Sequence, residues 1–219
     1  MKLYQYNHCP YCVRADMVAN YKQLEHEKVF LLNDDEQSCF DLIGAKMVPI
    51  LEFDDGTAMG ESLDICQRLD QLGNPQQVIL PYQQAQLEAA QALISASMMD
   101  IHHLLFPRNI MLGLPEFVTQ DACDYYRRKK ELIIGKSFEA AIANSAEYQQ
   151  RVEAMLQQLP ELTRPSENNG QIGWNDVMLF PTLRNLSMVA GLSYPAAIRT
   201  YLEEVSAATG LACLFDFAI

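Results

Sequence analysis

The chain has 219 residues and a formal net charge of −12, which argues against nucleic acid as a partner because an acidic surface repels phosphate. Nearly half of the residues are hydrophobic, as in ordinary globular proteins, and no stretch approaches the roughly 20 apolar residues of a membrane span. The N-terminus lacks the long apolar segment of a signal peptide, so we expect a cytoplasmic protein with no membrane partner.

The first part of the chain alternates strand and helix patterns. Strand patterns occupy four short runs: residues 3–6, 29–32, 48–53 and 57–59. Helical periodicity covers residues 12–24, 38–43 and a segment that begins at residue 62. We interpret the run at 29–32 as a buried strand, and Asp54-Asp55-Gly56 as a hairpin turn. The order, βαβ and then ββα, predicts an α/β domain with both parallel and antiparallel strands.

The pattern changes after residue 72. Gly73-Asn74-Pro75 interrupts the periodicity, and residues 73–83 are interpreted as a linker. Long helical patterns follow at residues 84–112, 116–143, 146–159, 175–190 and 195–208. The sequence therefore predicts two domains, an α/β domain over residues 1–72 and an all-helical domain over residues 84–219.

A CxxC motif lies between the first predicted strand and the first predicted helix: Cys9-Pro10-Tyr11-Cys12. Two cysteines at this spacing can close a small disulfide at the first turn of a helix, where unpaired N–H groups and the helix dipole favour a thiolate. Pro10 suits an early helix position because it has no N–H to satisfy. The motif therefore predicts redox chemistry by Cys9 and Cys12.

Other interpretations of the motif require residues that the sequence does not supply. A zinc site needs two more ligands, but the other cysteines are isolated and His102-His103 lie far along the chain, so we predict no metal. A structural disulfide fits poorly with a reducing compartment. An inert pair of buried thiols stays open as an alternative.

Three motifs in this order, Cys9-Pro10-Tyr11-Cys12, Val48-Pro49 and Glu61-Ser62, resemble a glutaredoxin active site on a thioredoxin-like fold. Residues 31–35, 179–186 and 189–191 extend the resemblance to the two-domain glutaredoxins of the glutaredoxin 2 type, which share the architecture of glutathione transferases. The resemblance implies a thioredoxin-like domain followed by a glutathione-transferase-like helical domain. It also implies a dithiol enzyme that reduces protein disulfides and protein–glutathione mixed disulfides with electrons from glutathione.

The resemblance assigns roles to single residues. Cys9 would be the nucleophile, and Cys12 would resolve mixed disulfides. Pro49 would be cis, so that the backbone of Val48 could pair with glutathione like one rung of a sheet. Ser62 would hold the γ-glutamyl carboxylate at a helix N-terminus, and Glu61 would attract the ammonium; Ser62 could also be a plain helix cap, and both of its roles can hold at once. The implied glutathione-binding set is Pro10, Tyr11, Val48, Pro49, Glu61 and Ser62.

Glutathione is anionic, so an acidic protein needs local cations to hold it. Arg14, Lys22 and Lys46 are candidates because they lie close to the motifs in sequence, although each could be an ordinary surface charge. His8 could tune Cys9 or be an exposed loop residue.

The helical half departs from the family pattern at one position. Members tend to begin the helix before Leu179 with a Ser or Thr cap and an Asp three residues later. Here the Asp is Asp176, but the cap is Gly173, which is weaker. The glycine therefore puts a full capping box in doubt, but it does not put the predicted fold in doubt.

Two other functions are weighed against the redox enzyme. A glutathione transferase, which conjugates electrophiles, uses glutathione's own thiolate and has no need of a second protein thiol, so Cys9 and Cys12 together favour redox. A non-catalytic iron–sulfur carrier is the other alternative, and Pro10 argues against it by stiffening the turn. We expect glutathione and disulfide-containing or glutathionylated proteins as partners, with glutathione as the only cofactor.

Overall fold

The computed structural model describes all residues from Met1 to Ile219. The chain forms two compact units, the first made of Met1–Val78 and Gly113–Tyr126, the second of Ile79–Leu112 and Arg127–Ile219. The predicted division into residues 1–72, 73–83 and 84–219 stays a prediction. The structure adds that residues 113–126, which lie inside the predicted helical domain, cluster with the first unit.

A four-stranded mixed sheet forms the centre of the first unit. Its strands are β1 Lys2–Gln5, β2 Glu27–Phe30, β3 Ile50–Glu52 and β4 Ala58–Met59, arranged in the order β2-β1-β3-β4. β1 is parallel to β2 and antiparallel to β3, and β4 is antiparallel to β3. The α/β class and the two kinds of strand pairing predicted from the sequence are confirmed.

Three helices of the first unit accompany the sheet: α1 Pro10–Tyr21, α2 Gln37–Ile43 and α3 Ser62–Leu72. α1 and α3 pack against each other, whereas α2 contacts β3 and β4. α1 buries Met17 and Val18 completely, and α3 buries Ile65. Each such side chain contributes about 1.5–3 kcal/mol through removal from water, which fixes α1 and therefore the loop that precedes it.

The second strand is not buried, contrary to the prediction for residues 29–32. β2 spans Glu27–Phe30, and Phe30 at its end is 37% exposed. The physical reason is its place at the edge of the sheet, where it pairs only with β1. Leu31, just beyond the strand, is the residue of this run that enters the core.

The long helical stretches of the second half are divided into shorter helices. These are α4 Gln84–Ala96, α5 Met98–Asn109, α6 Gln120–Ile134, α7 Phe138–Ala143, α8 Ser145–Gln158, α9 Trp174–Leu186 and α10 Ala196–Thr209. The pattern over residues 116–143 breaks because Gly135 adopts a φ of 68° after α6 and Ser137 caps α7, accepting from the N–H of Ala140 at 3.2 Å. No helix combines the length and apolarity needed to cross a membrane.

The start of α9 shows how the glycine cap functions. The N–H of Gly173 donates to the carboxylate of Asp176 at 2.7 Å, and the hydroxyl of Tyr201 donates to the other carboxylate oxygen at 2.8 Å. Glycine has no side chain to bond back, so only one half of the reciprocal box forms. Burial raises the pKa of Asp176 to about 6, against these two hydrogen bonds.

Candidate functional site

The CxxC motif lies at the beginning of α1. Cys9 is the N-cap residue with extended backbone angles, φ −79° and ψ 116°, and Pro10 occupies the first helical position. The first helical bond runs from the N–H of Val13 to the carbonyl of Cys9 at 3.0 Å. The sulfur of Cys9 therefore lies at the positive end of the helix, where the early N–H groups have no helical partner.

The two thiols of the motif differ in access to solvent. Cys9 is half-buried, whereas Cys12 is completely buried. The N–H of Tyr6, at the end of β1, lies 3.4 Å from the sulfur of Cys12. A disulfide substrate can reach only a thiol with an accessible sulfur, so this arrangement favours attack by Cys9.

The ionisation of the two thiols differs in the same sense. The pKa of Cys9 falls to about 7, chiefly because the Cys12 thiol hydrogen-bonds it; burial opposes this, and the charge of His8 and the N–H groups of Cys12 and Tyr11 add to it. Burial raises the pKa of Cys12 well above its ordinary value, and its hydrogen bond to Cys9 adds to that effect. Cys9 is therefore the thiol that forms a thiolate near neutral pH.

The other cysteines do not share these features. All six cysteines are free thiols. Burial raises the pKa of the Cys39 thiol, raises that of Cys66 to about 12 and raises that of Cys213 to about 11. No group of three or more His, Cys, Asp and Glu side chains is arranged to hold a metal ion.

The peptide bond between Val48 and Pro49 is cis, as the family resemblance implied. Val48 and Cys9 both pack on one small core cluster, formed by Tyr6, Leu31, Cys39 and Ile50. The fold thus brings the backbone of Val48 to the neighbourhood of the nucleophilic cysteine, although the two residues are far apart in sequence.

The start of α3 lies beside the same loop. A Cβ added at Gly60 would come within 3.0 Å of the Met47 sulfur, so the chain before Glu61 runs against the chain before Val48. Glu61 is exposed and has a φ of 62°, which is uncommon for a residue with a side chain. Such backbone strain is concentrated at functional sites.

Ser62 is not the N-cap residue of α3, contrary to the expectation of a plain helix cap. The N-cap of α3 is Glu61, and Ser62 is the first helical residue, so its hydroxyl does not act as a plain cap. Ser62 does stand at a helix N-terminus, as the resemblance implied. Its hydroxyl makes no hydrogen bond in the chain, which leaves it available to a ligand.

The three candidate cations have different surroundings. The ammonium of Lys22 is buried against Asp70 at 2.8 Å and the carbonyl of Gln77 at 2.8 Å, so it serves the packing of α1. The ammonium of Lys46 donates to the Tyr6 hydroxyl at 2.8 Å and also to the backbone carbonyls of Asn33 and Asp35. Both of these cations are engaged within the protein.

The third cation lies on the exposed side of the motif. The guanidinium carbon of Arg14 stands 4.9 Å from the centre of the Tyr11 ring, and Tyr11 is 54% exposed. The Nε of Arg14 is buried without a hydrogen-bond partner. Of the three candidates, Arg14 is the one whose guanidinium forms no ion pair or hydrogen bond in the chain, and it lies beside Tyr11 of the CxxC motif.

Sequence reasoning missed one residue next to the motif. Glu116 is fully buried, and its carboxylate lies 2.6 Å from the Nδ1 of His8. The two residues are 108 positions apart, and the pattern around residue 116 predicts only the beginning of a helix. Pro115–Phe117 instead forms a short 3-10 helix within the segment that clusters with the first unit. His8 itself is largely enclosed, with 10% of its side chain exposed, and not an exposed loop residue.

The family models match both halves of the chain. The model described as Glutaredoxin 2, C terminal domain, matches residues 89–218. The model described as Glutathione S-transferase, N-terminal domain, matches residues 3–77.

Individual relatives agree with these matches. Glutaredoxin 2 of Escherichia coli strain K12 is 34% identical over an alignment of 221 residues that covers 100% of both chains. The crystal structure of Glutaredoxin 2 from Salmonella typhimurium, in complex with glutathione, superposes with a TM-score of 0.89 at 35% identity and covers 100% of this chain and 98% of that one. A glutathione transferase from Phanerochaete chrysosporium shares the fold, with a TM-score of 0.70 at 15% identity over 94% of this chain and 96% of the other.

Proposed function

The chain belongs to the glutaredoxin 2 family and is a glutathione-dependent thiol–disulfide oxidoreductase, and we propose that Cys9 and Cys12 carry its reaction. The observation that supports this assignment most directly is the asymmetry of the two thiols. Cys9 is accessible and has a pKa near 7, whereas Cys12 is buried and has a raised pKa. Cys9 is thus the thiol that can attack as a thiolate near neutral pH, whereas Cys12 stays protonated before the mixed disulfide forms.

The reaction with a glutathione mixed disulfide needs only Cys9. Its thiolate attacks the glutathione sulfur, the protein–glutathione S–S bond breaks, and the protein thiolate leaves. Cys9 is then disulfide-bonded to glutathione. The thiolate of a second glutathione attacks that glutathionyl sulfur, which releases oxidised glutathione and restores the Cys9 thiolate.

The reaction with a protein disulfide also needs Cys12. Attack by Cys9 forms a mixed disulfide with the substrate and releases one substrate thiolate. Cys12 then loses its proton to solvent and attacks the sulfur of Cys9; the bond between Cys9 and the substrate sulfur breaks, and the second substrate thiolate leaves. The negative charge of Cys9 is absent at this stage, so one cause of the high pKa of Cys12 is removed. Two glutathione molecules then reduce the internal disulfide.

The glutathione site is proposed to lie around the start of α3. The free N–H groups of the first turn and the hydroxyl of Ser62 suit the γ-glutamyl carboxylate, and the carboxylate of Glu61 suits the ammonium. The backbone of Val48 suits the cysteinyl part, and Pro10 and Tyr11 provide apolar contact beside Cys9. The uncommon backbone of Glu61 and the nearness of Gly60 to Met47 support this arrangement.

The partners are proposed on the same chemical grounds. Proteins with accessible disulfides or with glutathionylated cysteines are the substrates that this arrangement of thiols suits. A reducing compartment such as the cytoplasm fits both the free state of the cysteines and the use of glutathione as reductant. A transferase role gains no specific support, because the likeness to transferases is a likeness of fold.

The test is a coupled turnover assay on the full chain. A small glutathione mixed disulfide is the substrate, glutathione is the reductant, and formation of oxidised glutathione is followed. We expect turnover that rises with the concentration of glutathione. Absence of turnover with glutathione, together with turnover when a thioredoxin-type reductase system is supplied, would overturn the proposal.

A further inference from the structure

A buried carboxylate stands behind the active-site loop and takes no part in the reaction just described. Glu116 has no exposed surface, and its Oε1 accepts from the backbone N–H of His8 at 2.9 Å and contacts His8 Nδ1 at 2.6 Å. Its second oxygen, Oε2, is buried without a hydrogen-bond partner. A buried carboxylate costs free energy unless it is compensated, and here both contacts that compensate it come from His8.

The ring of His8 is fixed by aromatic neighbours. It is stacked parallel to Tyr6 at 5.7 Å, tilted against Phe117 at 5.0 Å and perpendicular to Tyr126 at 5.2 Å. Phe117 and Tyr126 belong to the same segment, Gly113–Tyr126, as Glu116. Three residues of this segment therefore contact the imidazole of His8, the residue before the nucleophile Cys9, and fix its orientation: Glu116, Phe117 and Tyr126.

The charges around the ring favour an effect on Cys9. Glu116 keeps a lowered pKa in spite of burial, because His8 donates to it, so it is ionised at neutral pH. A carboxylate bound to one ring nitrogen stabilises a protonated imidazole and sets its orientation. The other titratable groups around this pair are the thiols of Cys9 and Cys12 and the phenols of Tyr6 and Tyr126, with the ammonium of Lys46 on the hydroxyl of Tyr6.

We propose that Glu116 is a positioning residue for the nucleophile: it holds His8 in the orientation and charge state that stabilise the Cys9 thiolate. The inference rests on the proposed role of Cys9. It extends the site to a segment more than 100 residues away in sequence, which lies in the middle of the helical half. Glu116 acts through His8 and does not itself meet the substrate.

The experiment measures the rate of Cys9 alkylation against pH in the full chain, with the modified peptide identified by mass spectrometry. Glu116→Gln keeps the shape and an acceptor for the His8 N–H but removes the charge. In this variant we expect the pH midpoint of Cys9 alkylation to rise by about half a unit to one unit, which lowers the alkylation rate at pH 6 about three- to tenfold. His8→Gln should raise the same midpoint by a similar amount. The double variant should raise the midpoint by no more than either single variant does.

Glu36→Gln is the matched control. Glu36 accepts a hydrogen bond from Tyr125 of the same segment, so this change removes another carboxylate from a contact that anchors the segment. Its midpoint should stay at the wild-type value. An unchanged midpoint in folded Glu116→Gln, or additive shifts in the double variant, would overturn the inference.

Two further measurements keep the result unambiguous. If Glu116→Gln does not fold, the alkylation midpoint of Cys9 is compared between wild type and His8→Gln, which removes the imidazole that Glu116 holds. An unchanged Cys9 midpoint in folded His8→Gln would contradict the inference. If Cys9→Ser leaves the fast-reacting thiol in place, then the proposed function fails; if it removes that thiol and Glu116→Gln has no effect, only the present inference fails.

Discussion

The backbone N–H of Tyr6 lies 3.4 Å from the sulfur of Cys12, which ties the end of β1 to a buried thiol in the first turn of α1. Cys9 lies three residues earlier, at the cap, and is only half-buried. The cap position and the strand end therefore give two chemically identical side chains different surroundings. The roles proposed for the two thiols follow from this difference.

The first prediction concerns the pKa of Cys9. Thiolate absorbance or alkylation rate, titrated against pH, should give a midpoint near 7 for Cys9. The largest cause is the hydrogen bond from the Cys12 side chain, so Cys12→Ala, which removes this donor, should raise the Cys9 midpoint by about one unit. A wild-type midpoint at or above about 8.5, the value of a free cysteine, would contradict the account of the site.

The second prediction concerns the use of glutathione. Ser62→Ala should raise the glutathione concentration at half-maximal turnover by on the order of tenfold, which matches the loss of one charge-assisted hydrogen bond of roughly 1.5 kcal/mol. Glu61→Gln should have a similar effect, because it removes the charge offered to the ammonium. The measurement is the concentration of glutathione at half-maximal turnover.

The control for both variants is the reactivity of Cys9 toward a small uncharged disulfide. Neither side chain touches the thiolate, so this rate should equal that of wild type. Wild-type dependence on glutathione in both variants would place the glutathione site elsewhere.

The third prediction concerns stability and pH in the second unit. Burial raises the pKa of Asp176 to about 6, so folding favours its protonated form. The protonated Asp176 carboxyl therefore contributes its full amount to the free energy of unfolding below the ordinary Asp pKa of about 4. This contribution is lost as the pH rises through about 6. Relative to Asp176→Asn, the wild-type free energy of unfolding should fall by about 1 kcal/mol between pH 5 and pH 7.5.

Urea unfolding followed by the fluorescence of Trp174, the single tryptophan, measures this difference beside the helix start. Asp216→Asn, at an exposed position of the same unit, is the control and should show no such trend. A difference that stays constant, or one that grows toward high pH, would contradict the burial of an ionisable Asp176.

Local patterns in the sequence predicted much of the site. The CxxC motif, its place between a strand and a helix, and the turn at Asp54-Asp55-Gly56 depend on neighbouring residues, and the structure has each of them. The edge position of β2 depends on the order of strands in the sheet, which the apolar run at residues 29–32 does not encode.

The contribution of residues 113–126 to the first unit could not be predicted from periodicity. Glu116 meets His8 only because the chain returns to the first unit after α5, and no local pattern reports such a return. The helical pattern over residues 116–143 concealed it further, since Glu116 and Phe117 also suit a helix. The resemblance to a family predicted roles for Val48, Glu61 and Ser62, whereas the neighbours of these residues could be identified only from the structure.

The central claim is that Cys9 attacks and Cys12 resolves, and the most direct test compares Cys9→Ser with Cys12→Ser on two substrates. Cys9→Ser should abolish the reduction of both a glutathione mixed disulfide and a protein disulfide. Cys12→Ser should keep the first activity, because glutathione itself completes that reaction, and lose most of the second. Equal loss of mixed-disulfide reduction in the two variants would contradict the assignment of roles.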